Sequence, residues 1–333
     1  MKTNPLELPE LLQRYFCEHL ACQRNASPCT IASYRDTIRM LLRFLSERLN
    51  RPAEQMRIAD FHSDHLLAFL DHVERVRKNS ARTRNQRLAA IRSFLRYAGW
   101  QLPDAMPVVQ RAMAIPRKRC ERGLVQFLTR DEVEAVLEAP PADTWSGHRD
   151  RALFVAMYNT GARVSEIVAA RVGDIEWGRP ASLRLHGKGR KERRVPLWRK
   201  TAAILRDWVR HNAFGQESPL FPNRARVPMT RSGVEKRLIQ AVRHAAERCR
   251  TLQSKTVSPH VLRHTTAMHL LQSGVELTVI ALWLGHESPE TTHLYMTADL
   301  NMKQKALSQM QEPGAKRTRY KPSDKLLAFL ENL

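Results

Sequence analysis

Six side chains in the second half of the chain could together cleave a phosphodiester without a metal ion. The six residues are Arg163, Lys188, His260, Arg263, His286 and Tyr295. In the transition state of such a cleavage, negative charge accumulates on the non-bridging oxygens, and guanidinium groups stabilise that charge through bidentate hydrogen bonds. Arg163 and Arg263 are predicted to supply this stabilisation.

A tyrosine is suited to attack the phosphorus in this reaction, and a lysine is suited to protonate the leaving oxygen. The hydroxyl of Tyr295 can attack phosphorus once a cationic pocket or a nearby base offsets its ordinary pKa of about 10. The phosphotyrosine ester conserves the bond for later rejoining, and Lys188 can protonate the departing 5′-oxygen as general acid. Lys191 is an alternative for the lysine, and Tyr158 and Tyr320 are alternatives for the tyrosine.

Each candidate lies in a short motif, and the motifs follow one another in a fixed order. They are TGARVSE with Arg163 and Glu166, GKGRKER with Lys188, HVLRH with His260 and Arg263, LGH with His286, and Tyr295 nine residues later. Together they resemble the TGxRxSE, GKGxKxR, HxxR and LGH motifs of the tyrosine recombinases, or phage integrase family, which includes Xer-type and transposon-borne integrases. The resemblance covers the whole chain and is strongest over about 129–300.

The resemblance implies a site-specific recombinase that cleaves and rejoins DNA through a 3′-phosphotyrosine intermediate, without a metal ion, ATP or another cofactor. Glu166 would orient the pocket, and His260 and His286 would handle protons or contact phosphate. The implied partner is double-stranded DNA with specific recombination sites, on which the protein would assemble as a dimer to a tetramer.

Several functions are compatible with these residues. Integration or transposition of a mobile element is the expected one. Resolution of chromosome or plasmid dimers and a type IB topoisomerase-like activity are the enzymatic alternatives. A DNA-binding regulator without activity is a further alternative, although the loss of Tyr295 or an arginine that it predicts is absent.

A zinc hydrolase is the remaining alternative, because His260 and His264 are four residues apart on a predicted helix and could face one metal ion. The glutamate of an HExxH motif is missing. We therefore predict no metal site and expect His264 to be a buried, hydrogen-bonded structural residue.

The composition favours a nucleic acid partner. The 55 Lys and Arg residues exceed the 33 Asp and Glu residues, which gives a net charge of +22, and soluble proteins this basic usually neutralise a polyanion. No stretch has the roughly 18–20 apolar residues of a membrane helix, and the first residues do not resemble a signal peptide. Five cysteines without zinc-site spacing indicate reduced thiols. We expect a cytoplasmic, nucleoid-associated protein.

The first 100 residues have helical periodicity throughout. Four segments, 6–20, 31–45, 64–78 and 83–97, place apolar residues at helical spacing. They predict a domain over 1–105, which resembles the family's α-helical, SAM-like core-binding domain, and a proline-containing basic linker over 106–128. Basic residues here are predicted to contact DNA phosphates. They are Arg75, Arg77, Lys78, Arg82, Arg84, Arg87, Arg117, Lys118 and Arg119.

The catalytic domain is predicted over 129–310. Thr129 and Glu132 have the spacing of a capping box at its first helix. Alternating apolar residues over 182–197 predict a β-hairpin with Lys188 near its turn. The fold class is therefore mainly α with a small β-hairpin or sheet, arranged as a two-domain DNA clamp.

A tail is predicted over 311–333. Ser323 precedes a short segment with five large apolar residues, more than a terminal helix usually exposes. Residues 323–333 are predicted to form a helix that docks on a neighbouring subunit; packing on its own domain is the alternative.

Overall fold

Two structural units make up the chain in the computed structural model, one formed by Met1–Arg122 and the other by Gly123–Leu333. The structure describes three ranges, residues 7–120, 126–187 and 192–285. Some predictions fall outside them, namely those for Lys188, Lys191, His286, Tyr295, Tyr320 and the tail 311–333. Each unit has a hydrophobic core of its own.

Helices form the described part of the first unit, which confirms the helical prediction for the first 100 residues. The α-helices are α1 Leu8–Arg14, α2 Pro28–Leu49, α3 Ser63–Arg75, α4 Ala81–Gln101 and α5 Met106–Ala114. A π-helix, Tyr15–Gln23, continues α1. Helices α2 and α4 both begin at a serine N-cap, since Ser27 and Ser80 each accept a hydrogen bond from a first-turn amide.

Aromatic side chains fill the centre of the first unit. Tyr15, Phe61, Phe69 and Phe94 are all fully buried. The hydroxyl of Tyr15 hydrogen-bonds to Ser93 Oγ at 2.8 Å, and burial raises the pKa of Tyr15 to about 12. Tyr15 is therefore a core residue that stays protonated.

The prediction of a linker over 106–128 was wrong for its first nine residues. Residues 106–114 form α5, whose Val109 and Ala112 are buried in the core of the first unit. Pro107 occupies the first turn of α5, where its fixed φ suits a helix and its missing N–H costs no hydrogen bond. Arg92 of α4 then donates to the carbonyl oxygens of Met113 and Ile115 at the carboxyl end of α5.

The second unit is also mainly helical. Its described α-helices are α6 Arg130–Glu138, α7 Trp145–Thr160, α8 Val164–Ala169, α9 Arg199–His211, α10 Arg231–Arg248, α11 Pro259–Gln272 and α12 Leu277–Leu284. The predicted capping box is confirmed, because Thr129 Oγ1 accepts from the Glu132 amide and the Glu132 carboxylate accepts from the Thr129 amide. In neither unit is a described helix long and apolar enough to cross a membrane.

A small antiparallel sheet confirms the predicted hairpin and adds one strand. Strands β2, Ser182–His186, and β3, Glu192–Pro196, pair directly, and the two-residue β1, Ile175–Glu176, pairs with the outer edge of β2. His186 and Glu192 form the last described pair of these two strands. The hairpin therefore leads the chain into and out of the segment that contains Lys188.

Candidate active site

A tight turn after the central helix α7 presents the first predicted arginine. Helix α7 ends at Gly161, which has the left-handed φ of 59° that favours glycine. A methyl group at this position would lie 2.3 Å from Leu284 Cδ2. Arg163 follows in extended conformation and begins α8. Both the backbone and the packing of α12 therefore require a glycine here.

Arg163 is held by two partners and keeps part of its side chain accessible. Its Nη1 donates to Glu166 Oε1 at 2.9 Å, and its Nη2 donates to the carbonyl oxygen of Gly285 at 3.0 Å. The side chain is 33% exposed, whereas that of Glu166 is 3% exposed. The Arg163 side chain therefore stays partly open to solvent while both of its Nη atoms donate hydrogen bonds.

Glu166 accepts hydrogen bonds from a second arginine, Arg193 of β3. The two Nη atoms of Arg193 lie 3.0 Å from Glu166 Oε1 and 2.7 Å from Oε2, in the bidentate geometry of a strong ion pair. Burial alone would raise the pKa of Glu166, but the hydrogen bonds and charge of Arg193 and the hydrogen bonds from Arg163 lower it. Glu166 is therefore an anion between two cations.

Sequence reasoning gave Arg193 no role, although the register contains a signal. Arg193 pairs with the buried Leu185 across the sheet and lies on the same face as the buried Val195. An arginine at an inward-facing strand position needs a buried partner, and that partner is Glu166.

Arg263 lies deeper than Arg163 and binds two backbone carbonyls. It projects from α11, is 5% exposed, and donates to the carbonyl oxygens of Gly161 at 2.6 Å and Leu284 at 2.7 Å. Arg163 and Arg263 thus bind consecutive carbonyls, those of Gly285 and Leu284, at the carboxyl end of α12. This end carries partial negative charge, which two guanidinium groups neutralise. His286 is the next residue of the chain.

His260 lies one helical turn before Arg263, in the first turn of α11. Ser258 caps that helix by accepting a hydrogen bond from the Val261 amide. Partial burial of the ring, followed by the positive charges of Arg263 and Arg163, lowers the pKa of His260 below its ordinary value of 6.5. The imidazole is therefore neutral at pH 7 and can accept a proton.

His264 lies beside His260, with the two ring centres 6.5 Å apart. Burial lowers the pKa of His264, and the electrostatic effects of His260 and Arg263 lower it further. Within the part of the chain that the structure describes, no three His, Cys, Asp or Glu side chains are grouped to hold a metal ion. A third ligand for this pair would have to come from elsewhere in the sequence.

The family assignment follows from comparison with known proteins. A model of the phage integrase family matches residues 126–302, and a model of the phage integrase N-terminal SAM-like domain matches residues 13–101. The chain belongs to the phage integrase family. Members of this tyrosine recombinase family are site-specific enzymes that cleave and rejoin DNA, and this chain is one of them.

Two relatives of the integrase cover most of its length. A putative integrase/recombinase, y4rC, from Sinorhizobium fredii is 45% identical over 331 residues, which are 99% of this chain and 100% of the relative. The tyrosine recombinase XerC of Xanthomonas axonopodis pv. citri is 33% identical over 290 residues, which are 85% of this chain and 91% of the relative.

Solved recombinases share the fold at lower identity. The Tn1549 transposon integrase in complex with transposon right end DNA has a TM-score of 0.68 at 15% identity, covering 92% of this chain and 99% of that one. XerH recombinase bound to palindromic difH substrate has a TM-score of 0.67 at 21% identity, and the match covers 86% of this chain and 81% of that one. The two-domain, mainly α fold of the integrase is thereby established.

Two of the basic residues predicted to contact phosphate point elsewhere. Arg84 is buried, lies 3.7 Å from the Glu74 carboxylate and donates to the carbonyl oxygen of Pro116, and its phosphate contact stays a prediction. Arg87 is partly buried and donates to Thr37 Oγ1 at 2.8 Å. The remaining residues of this prediction are exposed, namely Arg75, Arg77, Lys78, Arg82, Arg117, Lys118 and Arg119.

A groove of about 320 Å³ on the SAM-like domain collects arginines that the sequence prediction mostly missed. We call it the arginine groove; it is lined by Arg24, Tyr34, Asn85, Leu88, Ala89, Arg92, Ser93, Arg96 and Arg117. Its lining contains no carboxylate. Burial and then the charges of Arg117 and Arg96 lower the pKa of Arg92. The positive charges here repel one another, so an anion in the groove would be stabilised.

Proposed function

We propose that this integrase attacks a scissile DNA phosphate with Tyr295 while Arg163 and Arg263 bind the non-bridging oxygens. The observation that carries the proposal is that these two arginines donate to consecutive carbonyls at the end of α12, with the neutral His260 one helical turn before Arg263 in α11. Tyr295, Lys188 and His286 take their roles from the motifs alone, since all three lie outside the described residues.

The proposed reaction is a transesterification. The phenol oxygen of Tyr295 bonds to phosphorus as its proton passes to the neutral imidazole of His260, and the bond between phosphorus and the 5′-oxygen breaks. Lys188 gives a proton to that oxygen, which leaves a free 5′-hydroxyl and a 3′-phosphotyrosine ester. His286 contacts the phosphate. The 5′-hydroxyl of a partner strand then attacks the ester and releases the phenol.

Duplex DNA containing specific recombination sites is the proposed partner. The arginine groove and the exposed arginines at 75, 77, 82, 117 and 119 offer positive charge to a phosphate backbone. Solved neighbours include a lambda integrase dimer on a core site and a tetramer on a Holliday junction. We infer that this integrase also assembles on DNA as a dimer to a tetramer, through a terminal helix at 323–333, and that it acts in the cytoplasm on the nucleoid.

Integration or transposition of a mobile element is the proposed setting. The support is the 45% identity to a putative integrase/recombinase over nearly the full length of both chains, against 33% to XerC. The XerC relatives favour the alternative of dimer resolution. Exchange between two separate DNA sites distinguishes both from a topoisomerase-like activity, which reseals the same strand.

Nicked suicide substrates built from DNA flanking the gene test the reaction. We expect wild-type protein in excess chelator to form a covalent protein–DNA adduct that resists denaturation, and Tyr295→Phe to form none. Tyr320→Phe is the matched control and should form the adduct normally. An adduct that persists in Tyr295→Phe, or that disappears with chelator, would overturn the proposal.

A further inference from the structure

We propose that Arg193 is a positioning residue of the recombinase, which keeps the guanidinium of Arg163 available to the scissile phosphate by sharing the carboxylate of Glu166. The inference rests on the phosphate-binding role proposed for Arg163. It assigns a function to a side chain that does not itself touch the substrate.

The charge of the cluster is the first argument. Arg163 and Glu166 together have no net charge, so a carboxylate 2.9 Å from the guanidinium would cancel much of its attraction for phosphate. Arg193, with nitrogens 2.7 and 3.0 Å from the same carboxylate, restores one positive charge. Because Glu166 is 3% exposed, solvent screens these interactions weakly.

The geometry of Arg193 is the second argument. All three of its guanidinium nitrogens donate, two to Glu166 and Nε to the carbonyl oxygen of Trp283 at 2.9 Å. It also packs on Gly285, where a methyl group would lie 3.0 Å from Nη1. Arg193 therefore fixes the same end of α12 to which Arg163 and Arg263 donate.

The position of Arg193 in β3 is the third argument. It is the second residue of the strand that follows the segment with Lys188, and its side chain reaches from the hairpin to α8 and α12. A lysine could not replace it, because one ammonium group cannot form the bidentate pair and also reach the carbonyl. Arg193 thus links the strand beside the proposed general acid to the arginines of the site.

The first test compares single-turnover cleavage of a suicide substrate by Arg193→Gln, Arg193→Lys and the double variant Glu166→Gln with Arg193→Gln. We expect Arg193→Gln to bind duplex DNA several-fold more weakly and, at saturating DNA, to cleave about tenfold or more slowly, and Arg193→Lys to be impaired almost as much. The double variant should be faster than Arg193→Gln, because no carboxylate then cancels the charge of Arg163.

Arg194→Gln is the matched control. Arg194 is the next residue of β3, but it is 64% exposed and pairs with Glu176 on the surface. We expect its cleavage rate to stay within about twofold of wild type. Thermal unfolding is measured for every variant, since a purely structural role predicts that the rate follows stability and that the double variant is no faster than Arg193→Gln. Either result would contradict the proposal, as would wild-type cleavage by Arg193→Gln.

A binding experiment separates this inference from the proposed chemistry. In a Tyr295→Phe background, which needs no cleavage, the affinity for duplex DNA is measured with Arg163→Ala and Arg193→Gln singly and together. We expect Arg163→Ala to weaken binding several-fold when Arg193 is present and clearly less when it is absent. If the effects of the two substitutions on DNA affinity are additive, the positioning role of Arg193 is refuted, even when wild-type protein forms the covalent adduct. If the two effects are coupled but no adduct forms, only the proposed chemistry is refuted.

Discussion

Arg263 Nη1 donates to the carbonyl oxygen of Gly161 at 2.6 Å, and this bond ties helix α11 to the turn that presents Arg163. The two predicted phosphate ligands are therefore not independent. The buried arginine holds the backbone two residues before the accessible one, and both donate to the end of α12. A change at this turn should affect stability and chemistry together.

Gly161→Ala tests the turn. We expect a loss of about 1–2 kcal/mol for an alanine in the left-handed region and about 1–3 kcal/mol more from the clash with Leu284. Adduct formation should slow because Arg163 is displaced. Urea unfolding and single-turnover cleavage measure the two effects.

Gly274→Ala is the control for that substitution. Gly274 also has a left-handed φ, of 84°, but no atom lies within 4 Å of the added methyl group. The Gly274→Ala variant should lose only the free energy of unfolding that a left-handed alanine costs, and it should cleave DNA at the wild-type rate. If both glycine variants lost the same free energy of unfolding, the packing of Leu284 on Gly161 would not matter.

Arg263→Lys and Arg163→Lys should separate stability from chemistry. Lysine at position 263 cannot reach both carbonyls, so buried acceptors lose their donors and the free energy of unfolding should fall by about 2–4 kcal/mol. Arg163 is one-third exposed, so its replacement should cost less. Both variants should cleave at least about a hundredfold more slowly. Equal stability losses would argue against the anchoring role of Arg263.

The sequence predicted the elements well because their signals are local. The spacing of Thr129 and Glu132 specified a cap, and the alternation over 182–197 specified a hairpin. The motifs also identified Arg163 and Arg263, which the structure brings to adjacent carbonyls. Their shared attachment to α12 could not be predicted, because it depends on tertiary contacts between separate motifs: Arg163 and Gly285 are 122 positions apart, and Arg263 and Leu284 are 21 positions apart.

For two arginines, Arg84 and Arg193, the position in the helix or strand is more informative than the positive charge alone. Arg84 was grouped with basic surface residues, although it lies four positions before Leu88 and seven before Ile91, on the buried stripe of α4. Arg193 was overlooked although it occupies an inward-facing strand position. In both cases an arginine at an apolar position indicates an ion pair within the fold, nearly buried for Arg193 with Glu166 and partly exposed for Arg84 with Glu74.

The lowered pKa of His260 predicts where cleavage loses rate in acid. A proton-accepting imidazole must be neutral, and partial burial together with Arg263 and Arg163 keeps it neutral to a pH below 6.5. We expect the single-turnover rate to be level around pH 7 and to fall only below pH 6.5. Arg163→Gln should move this acid limb to higher pH, since it removes a charge that lowers the pKa. If the pH at which the rate falls is the same in Arg163→Gln and wild type, His260 is not the group whose protonation slows cleavage.

The buried Glu132 predicts a loss of stability in acid. Burial alone would raise its pKa, but hydrogen bonds from Lys255, Thr251 and the Thr129 amide lower it below 4.5. A group whose pKa is lower in the folded state stabilises fully above its unfolded pKa, and this contribution is lost as the pH falls through the folded value.

Glu132→Gln measures that contribution. The variant should lose about 1–3 kcal/mol at pH 7, and the difference from wild type should shrink below pH 4.5. Urea unfolding at pH 7, 5 and 4 gives both values. Glu134→Gln, which removes an exposed carboxylate of the same helix, is the control and should cost less than about 0.5 kcal/mol at pH 7. A constant difference between Glu132→Gln and wild type at all three pH values would contradict the linkage.

The arginine groove predicts a change in the salt dependence of DNA binding. Each phosphate contact contributes about 0.9 to the slope of log K against log salt concentration. Arg24→Ala, Arg96→Ala and Arg117→Ala should each lower this slope by up to that amount and weaken binding to all duplex sequences alike, because phosphate contacts carry no sequence information.

Arg43→Ala is the matched control, since Arg43 is an exposed arginine of α2 that does not line the groove. Fluorescence anisotropy with recombination-site and unrelated duplexes over a range of salt gives the slopes. If the groove variants and Arg43→Ala have equal slopes, the groove does not hold the DNA backbone. If a groove variant weakens binding only to the recombination site, its arginine contacts bases and the phosphate assignment is wrong.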